Sequence, residues 1–184
     1  MSRAVAVLLG CLLLAGCGGR EAAPRQPAWN GTDVMFLQMS LEYVRQGDQV
    51  LDLIAQRSDP GLKALAAELR AQWVTESATM RRWLLGWEQP LAADPDAGAH
   101  AGHGDLHSLR PQDIAELKAT RSDFDGTAQS VLLGHLNNCV ETSRMETAGG
   151  LYPPARALAE RMTTTRQGQV QQLLKLQTAG TMGA

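Results

Sequence analysis

Aromatic residues make up only 4% of the 184, cysteines number three, and positive charge is not in excess: 17 Lys and Arg stand against 19 Asp and Glu. Without a basic surplus there is little to hold a phosphate backbone, so nucleic acid is not an expected partner. No apolar run reaches the roughly 20 residues that a membrane-spanning helix needs. The sequence also lacks a nucleophile elbow, a phosphate-cradling glycine loop, a Cys-x-x-Cys pair and a His-Glu-x-x-His motif. The paired Glu-x-x-His motifs that hold di-iron centres in helical bundles are missing too. Catalytic activity is therefore not expected. What is present is enough apolar content (44%) and little enough charge (20%) to fold.

The first residues supply an address. Arg3 precedes Ala4 to Ala15, which holds almost nothing polar, and the run ends in Leu14-Ala15-Gly16-Cys17. One positive charge, a short apolar stretch and small residues form the pattern of a signal peptide. The final four residues resemble the bacterial lipobox. That resemblance implies cleavage before Cys17, lipid on its thiol and new amino group, and a mature chain anchored to the outer side of a membrane. Acyl chains on one residue hold firmly, because each buried methylene contributes about 0.8 kcal/mol. Residues 18–29 are rich in Gly, Pro and polar side chains and read as a flexible tether. Cys11 leaves with the signal and Cys17 carries lipid, so only Cys139 remains as a thiol.

From Asp33 the pattern is helical. Phe36, Ser40, Tyr43, Gly47, Val50 and Ile54 follow a 4-3 spacing, with Gln38, Arg45, Gln49 and Asp52 assigned to the opposite face. Asp33 or Thr32 is the expected N-cap. Ser58-Asp59-Pro60-Gly61 ends this helix and starts another. There Leu62, Ala66, Leu69, Trp73, Glu76, Met80, Trp83 and Trp87 form a seam in which Glu76 is the lone acid. Residues 91–110 read as a linker containing His100, His103 and His107, and Pro111 to Ala119 reads as a short helix. The pattern then returns. Asp125, His135, Leu136 and Cys139 repeat Asp33, Tyr43, Val44 and Gly47 at an offset of 92. Pro153, Leu158, Met162, Gln169 and Leu173 repeat Pro60, Leu65, Leu69, Glu76 and Met80 at 93. Each hairpin has one apolar face and cannot bury it alone. The expectation is an all-α, ferritin-like four-helix bundle of two repeated hairpins, residues 30–90 and 111–177, with a disordered tail over 178–184.

Asp33-Val34-Met35-Phe36-Leu37-Gln38-Met39, then Arg45-Gln46-Gly47, resemble the first helix of the bacterial family called domain of unknown function 305. Gln72, Glu76, Met80, Trp83 and Leu84 are similar to its second helix, and Leu117 with Phe124-Asp125 to its second-repeat opening. The resemblance runs from about Asn30 to Leu176. It implies a ferritin-like bundle, secreted or lipid-anchored, and for some members an association with copper. The family's two His-His pairs fall on Tyr43-Val44 and His135-Leu136, so Tyr43, Val44 and Leu136 stand where the family carries three of four histidines.

Helical geometry puts Tyr43 and His135 near the centres of their apolar faces, with Cys139 one turn after His135 and Met39 one turn before Tyr43. Glu76 and Met80 are also one turn apart. Two readings follow. Imidazole and thiolate at i, i+4 can clamp one ion; Met sulfur favours Cu(I), and Glu76 can bind directly or orient the imidazole. Alternatively these residues pack a core, with His135 hydrogen-bonded to Glu76 or Tyr43, Cys139 acting as a small apolar residue and the methionines filling gaps. A redox-sensing Cys139 is a third reading, disfavoured by burial. The linker histidines, with Asp105, could wrap Cu(II) or Zn(II); alternatively they are part of a solvated linker with no ligand. Trp73, Trp83 and Trp87 are expected to pack, and Trp29 to close one end. Function thus divides between envelope metal handling and a structural or partner-binding lipoprotein with a filled-in site.

Overall fold

The computed structural model describes residues 28–93 and 109–182, with side chains through Thr178. The signal segment with Cys17, the tether up to Pro27, and His100, His103 and His107 lie outside the described residues. Five helices are present and no strand among the described residues: α1 (Gly31–Arg57), α2 (Pro60–Gly86), α3 (Pro111–Ala119), α4 (Phe124–Gly149) and α5 (Pro153–Met182). The chain is an all-α, ferritin-like bundle. α1 packs on α2 and α4, α5 packs extensively on α4, and α2 meets α5 more sparingly.

Caps set the helix ends. The N-cap of α1 is Asn30 rather than Asp33 or Thr32. Its side chain accepts from the backbone of Thr32 and Asp33, while Asp33 accepts from the Asn30 N–H at 2.6 Å, which completes a capping box. Asp59 caps α2 ahead of Pro60, which loses nothing by having no N–H in the first turn. α5 runs on through Thr178 to Met182. Loss of apolar periodicity there does not end the helix, because backbone bonding needs no buried face.

The duplication is visible in how the hairpins lock together. Asp33, at the start of α1, accepts backbone N–H bonds from Leu151 and Tyr152 in the α4–α5 turn, the latter at 2.9 Å. Asp125, at the start of α4, accepts the N–H of Asp59 in the α1–α2 turn at 3.0 Å. Tyr152 and Asp59 correspond at the same 93-residue offset that relates the prolines. Each hairpin therefore holds the other's turn with an equivalent carboxylate. The locks make α4 antiparallel to α1. The connection from α2 to α4 must then return along the bundle, the single crossover of ferritin-like folds.

Most of the apolar core lies in two clusters. One joins Val50, Leu51, Ile54, Leu62, Leu69, Trp73, Leu132, Leu136 and Leu173. The other joins Phe36, Leu37, Met80, Leu84, Leu158 and Met162. Aromatic rings close one end: Trp29 stacks on Trp87 at 5.2 Å, and Trp83 and Trp87 both meet Tyr152 edge-on. Gln38 does not lie on a solvent face. It is buried and donates to the Pro90 carbonyl at 2.7 Å, tying the segment after α2 to α1. At the opposite end the Arg57 guanidinium lies 3.9 Å over the Phe124 ring and donates to carbonyls at the end of α3.

Next to the Asp33 lock is a buried carboxyl without a donor. Glu146 is 0% exposed, no N–H or hydroxyl donor reaches either carboxyl oxygen, so only the Asp33 carboxyl can share its proton, and Gly150 leaves room for it: a Cβ there would lie 2.2 Å from Oε1. Burial, followed by the neighbouring Asp33 carboxyl, raises the Glu146 pKa to about 8, against a smaller opposing pull from Arg156. The unfolded chain ionises Glu146 near its ordinary value of 4.5, while the folded chain keeps it protonated to about 8. Stability from this group is full below that lower value and declines as pH rises through the window, by up to about 1.4 kcal/mol per pH unit. Glu146→Gln should remove this decline, so its melting temperature should exceed the parent's at pH 8 and approach it near pH 4.5, read by circular dichroism.

Candidate functional site: a cationic plug in the bundle core

The middle layer of the bundle follows the same pseudo-symmetry. Tyr43 on α1 pairs by offset with His135 on α4, and Gly47 with Cys139. On the outer helices Trp73 pairs with Arg166. Trp73 needs the missing side chain at Gly47, since a Cβ there would lie 2.5 Å from Trp73 Cη2 and 2.6 Å from Nε2 of His135. The imidazole of His135 sits edge-on to both Tyr43 (5.8 Å between ring centres) and Trp73 (5.7 Å). Cys139 packs with Tyr43 and Met39, and Met35 leans on that group.

Arg166 is the residue that sequence reasoning missed. It is 1% exposed and forms an ion pair with Glu76 across the α2–α5 seam. Its Nη1 donates to Gln72 Oε1 at 3.2 Å and to Gln169 Oε1 at 3.4 Å, and Gln169 donates in turn to Gln72 at 2.7 Å. The guanidinium carbon lies 5.9 Å from the centre of the Trp73 ring. A buried guanidinium survives only with such partners, because an unpaired buried charge costs several kcal/mol. The available signal was a position: Met162, Arg166, Gln169 and Leu173 follow a 4-3-4 seam, so Arg166 falls where an apolar residue belongs.

The expected constellation is therefore split. His135, Cys139, Met39 and Tyr43 come together. Glu76 comes near them but is held by Arg166, not by His135. Met80 lies with Phe36, Leu84 and Met162 in a separate cluster. Leu136 is fully buried in the main core and Val44 packs beside it, so both act as filler. His135 bonds neither Glu76 nor the Tyr43 hydroxyl; neither ring nitrogen makes a well-formed hydrogen bond, and the Tyr43 backbone offers only a weak approach. The Tyr43 hydroxyl instead accepts a long bond, 3.5 Å, from Thr142.

Electrostatics here disfavour a second cation. Burial, reinforced by the charge of Arg166, lowers the His135 pKa to about 4, with the nearby Tyr43 backbone opposing weakly. Burial raises the Cys139 pKa to about 11, only partly offset by Arg166. The thiol is thus protonated at neutral pH and is neither a ready ligand nor a nucleophile. Burial also raises the Glu76 pKa, against the pull of Arg166. Among the described residues no three His, Cys, Asp or Glu side chains converge as a metal requires. The one imidazole and one thiol among the described residues, near a permanent charge and without a third ligand of their kind, do not fit a resident copper ion.

The profile of the family described as domain of unknown function (DUF305) matches residues 33–177. The chain belongs to the DUF305 family. A DUF305 fragment from Deinococcus radiodurans superposes with a TM-score of 0.68 at 19% identity, covering 80% of this chain and 95% of that one. A DUF305 protein from Streptomyces coelicolor does so with 0.71 at 14% identity, covering 79% and 91%. CopM in its Cu(I)-bound form gives 0.65 at 18% identity, covering 82% and 98%, and CopM in a Cu(II)-bound form also matches. At these identities the likeness establishes the fold. No curated protein matches this DUF305 chain.

Two measurements test this site. Glu76→Gln should destabilise the bundle by about 3–5 kcal/mol, because it strands a buried guanidinium. Glu76→Gln combined with Arg166→Met should recover most of that loss in urea melts. Stability from neutral His135 is full above its ordinary pKa of 6.5 and is lost as pH falls through that value to about 4. His135→Gln should flatten that acid limb in pH-dependent melts.

Proposed function

We propose that this DUF305 chain is a lipid-anchored, extracytoplasmic bundle that binds copper at the cell envelope and performs no chemistry on it. The observation that carries the copper reading is the fold shared with CopM over four fifths of the chain, since CopM is known in both Cu(I)- and Cu(II)-bound forms. The lipobox-like Leu14-Ala15-Gly16-Cys17 supports anchoring. No described helix is long and apolar enough to cross a membrane; on this reading lipid on Cys17 supplies the attachment. A buried thiol that stays protonated and a buried imidazole without a well-formed hydrogen bond support the reading that the described core performs no chemistry.

Because the core carries Arg166, copper is assigned to ligands outside it. His100, His103 and His107 are the imidazoles left, and their spacing suits a loop that orders around one ion. Ordering such a loop costs about 1–2 kcal/mol per residue, so binding is modest and reversible, as suits a protein that collects a metal rather than uses it. The second reading, a structural or partner-binding lipoprotein without metal, is favoured by that same Arg166.

Metal analysis of residues 18–184, with and without 98–107, separates the two readings. Stoichiometric copper that disappears with the deletion supports the first. No copper in either form supports the second and overturns the first. In cells, Cys17→Ala should move the protein from the membrane fraction to the soluble fraction; continued membrane association would overturn lipid anchoring.

A further inference from the structure

One end of the bundle is built unlike the rest. Three of the four tryptophans, Trp29, Trp83 and Trp87, gather there around Tyr152, and all four of these rings are half-buried. Leu85, on the last turn of α2, is 62% exposed, and Leu151, in the α4–α5 turn, is 53% exposed. Pro153 and Pro154 stand exposed next to Leu151. A single exposed leucine means little, but two that share one end with a ring cluster form a patch.

Positive charge is in excess at the same end. Arg81 and Arg82 stand exposed one turn before Leu85, and Arg156 stands exposed in the first turn of α5. Glu88 is the exposed acid among them. The other acids there, Asp33 and Glu146, are fully buried. Farther along α5, Glu160 and Arg161 offset each other. The opposite end carries Asp59, Asp123 and Asp125 beside Arg57 and Arg121, so it has no cationic excess.

Chain length selects the aromatic end as well. Trp29 lies 12 residues after Cys17. A coil of that length spans about 20 Å on average, and about 40 Å when drawn straight. The 27 residues of α1 carry the bundle about 40 Å away from Trp29. A lipid on Cys17 therefore keeps the aromatic end, rather than the Asp59 end, close to the bilayer.

We propose that this end is a docking face for an anionic lipid surface, on which the three tryptophans, Leu85 and Leu151 meet the headgroup boundary and the three arginines meet the lipid phosphates. The chemistry suits that surface. Indole and phenol rings join an apolar body to a polar tip and settle where hydrocarbon gives way to water. Exposed leucines leave water there, and guanidinium groups pair with phosphate oxygens through forked N–H groups. The patch is small, but a tether raises the local concentration of lipid so far that weak docking is enough. The α1–α2 turn and α3 then face away from the bilayer.

This inference rests on the reading that Cys17 carries lipid, and the test separates the two. The full chain is purified in detergent and returned to vesicles of phosphatidylethanolamine and phosphatidylglycerol. Flotation reports anchoring, and quenching of tryptophan emission by lipids brominated near the headgroup reports docking. We expect the chain to float and its emission to fall, with Trp73, 1% exposed in the core, supplying the unquenched remainder. Leu85→Ser with Leu151→Ser changes only exposed side chains; it should still float, with quenching reduced about threefold or more. Arg81→Ser, Arg82→Ser and Arg156→Ser together, or neutral phosphatidylcholine vesicles, should each reduce quenching about twofold or more. Val74→Ser alters a side chain that is 66% exposed on the same helix, about three turns away, and should change nothing. A chain that floats without quenching overturns the docking face and leaves lipid anchoring standing; one that does not float overturns both. Quenching that survives the leucine pair, the arginine set or the neutral vesicles overturns the proposal, as does an equal loss in Val74→Ser. Dimerisation in detergent that the leucine changes abolish gives the face to a second copy and overturns it too.

Discussion

The ion pair between Arg166 and Glu76 is the constraint around which the centre of this bundle is arranged. It spans the seam where α2 meets α5, the sparsest contact among the four long helices, with the guanidinium buried and Glu76 nearly so. A guanidinium there demands acceptors, and the surroundings supply most of them: Glu76 for Nη2 and the charge, Gln72 and Gln169 for Nη1, and the Trp73 face for the planar cation, while Nε stays without a partner. Glu76, Gln72 and Gln169 would each be costly to bury alone; with Arg166 they satisfy one another. The same charge then reaches across the core, where it disfavours protonated His135 and moderates the raised Cys139.

The duplication explains why the plug sits where it does. Equivalent positions in the two halves have diverged in opposite directions: Tyr43 against His135, Gly47 against Cys139, Trp73 against Arg166. Each half thus contributes one bulky outer residue facing the middle, and Gly47 yields the space that Trp73 takes. The Asp33 and Asp125 locks stayed alike, because both hold a neighbouring turn through backbone N–H groups, a requirement that does not change with the core. Conserved geometry at the ends and divergent chemistry in the middle is what one expects of a scaffold kept for its shape.

Much of the candidate site was legible in one dimension and misleading in three. The wheel placed His135, Cys139, Met39 and Tyr43 on inward faces, and they do meet. It placed Glu76 inward as well, but could not say which cation would find it, and His135 was the natural guess because it was the only group on a recognised seam able to carry positive charge. Arg166 was overlooked because an arginine in a helix ordinarily turns its head to water. Met80 obeyed the same periodicity as Glu76 yet joined a different layer, since one turn along a helix is enough to leave a site only a few ångströms deep.

The sequence by itself determined the helices, the break at Ser58-Asp59-Pro60-Gly61 and the repeat, because helical periodicity and turn signals are carried by residues close together in the chain; the α1 cap it put at Asp33 or Thr32 rather than at Asn30. Tertiary structure decided who pairs with whom across the bundle. The partner of Glu76 lies 90 residues away, and meeting it depends on the rotation and register of two helices that touch only after both hairpins have closed. No local pattern encodes that rotation. It is set by the sum of packing across the core, with Trp73 against Gly47 at its centre, and it turned a constellation that looked ready for a metal into one that carries its own cation.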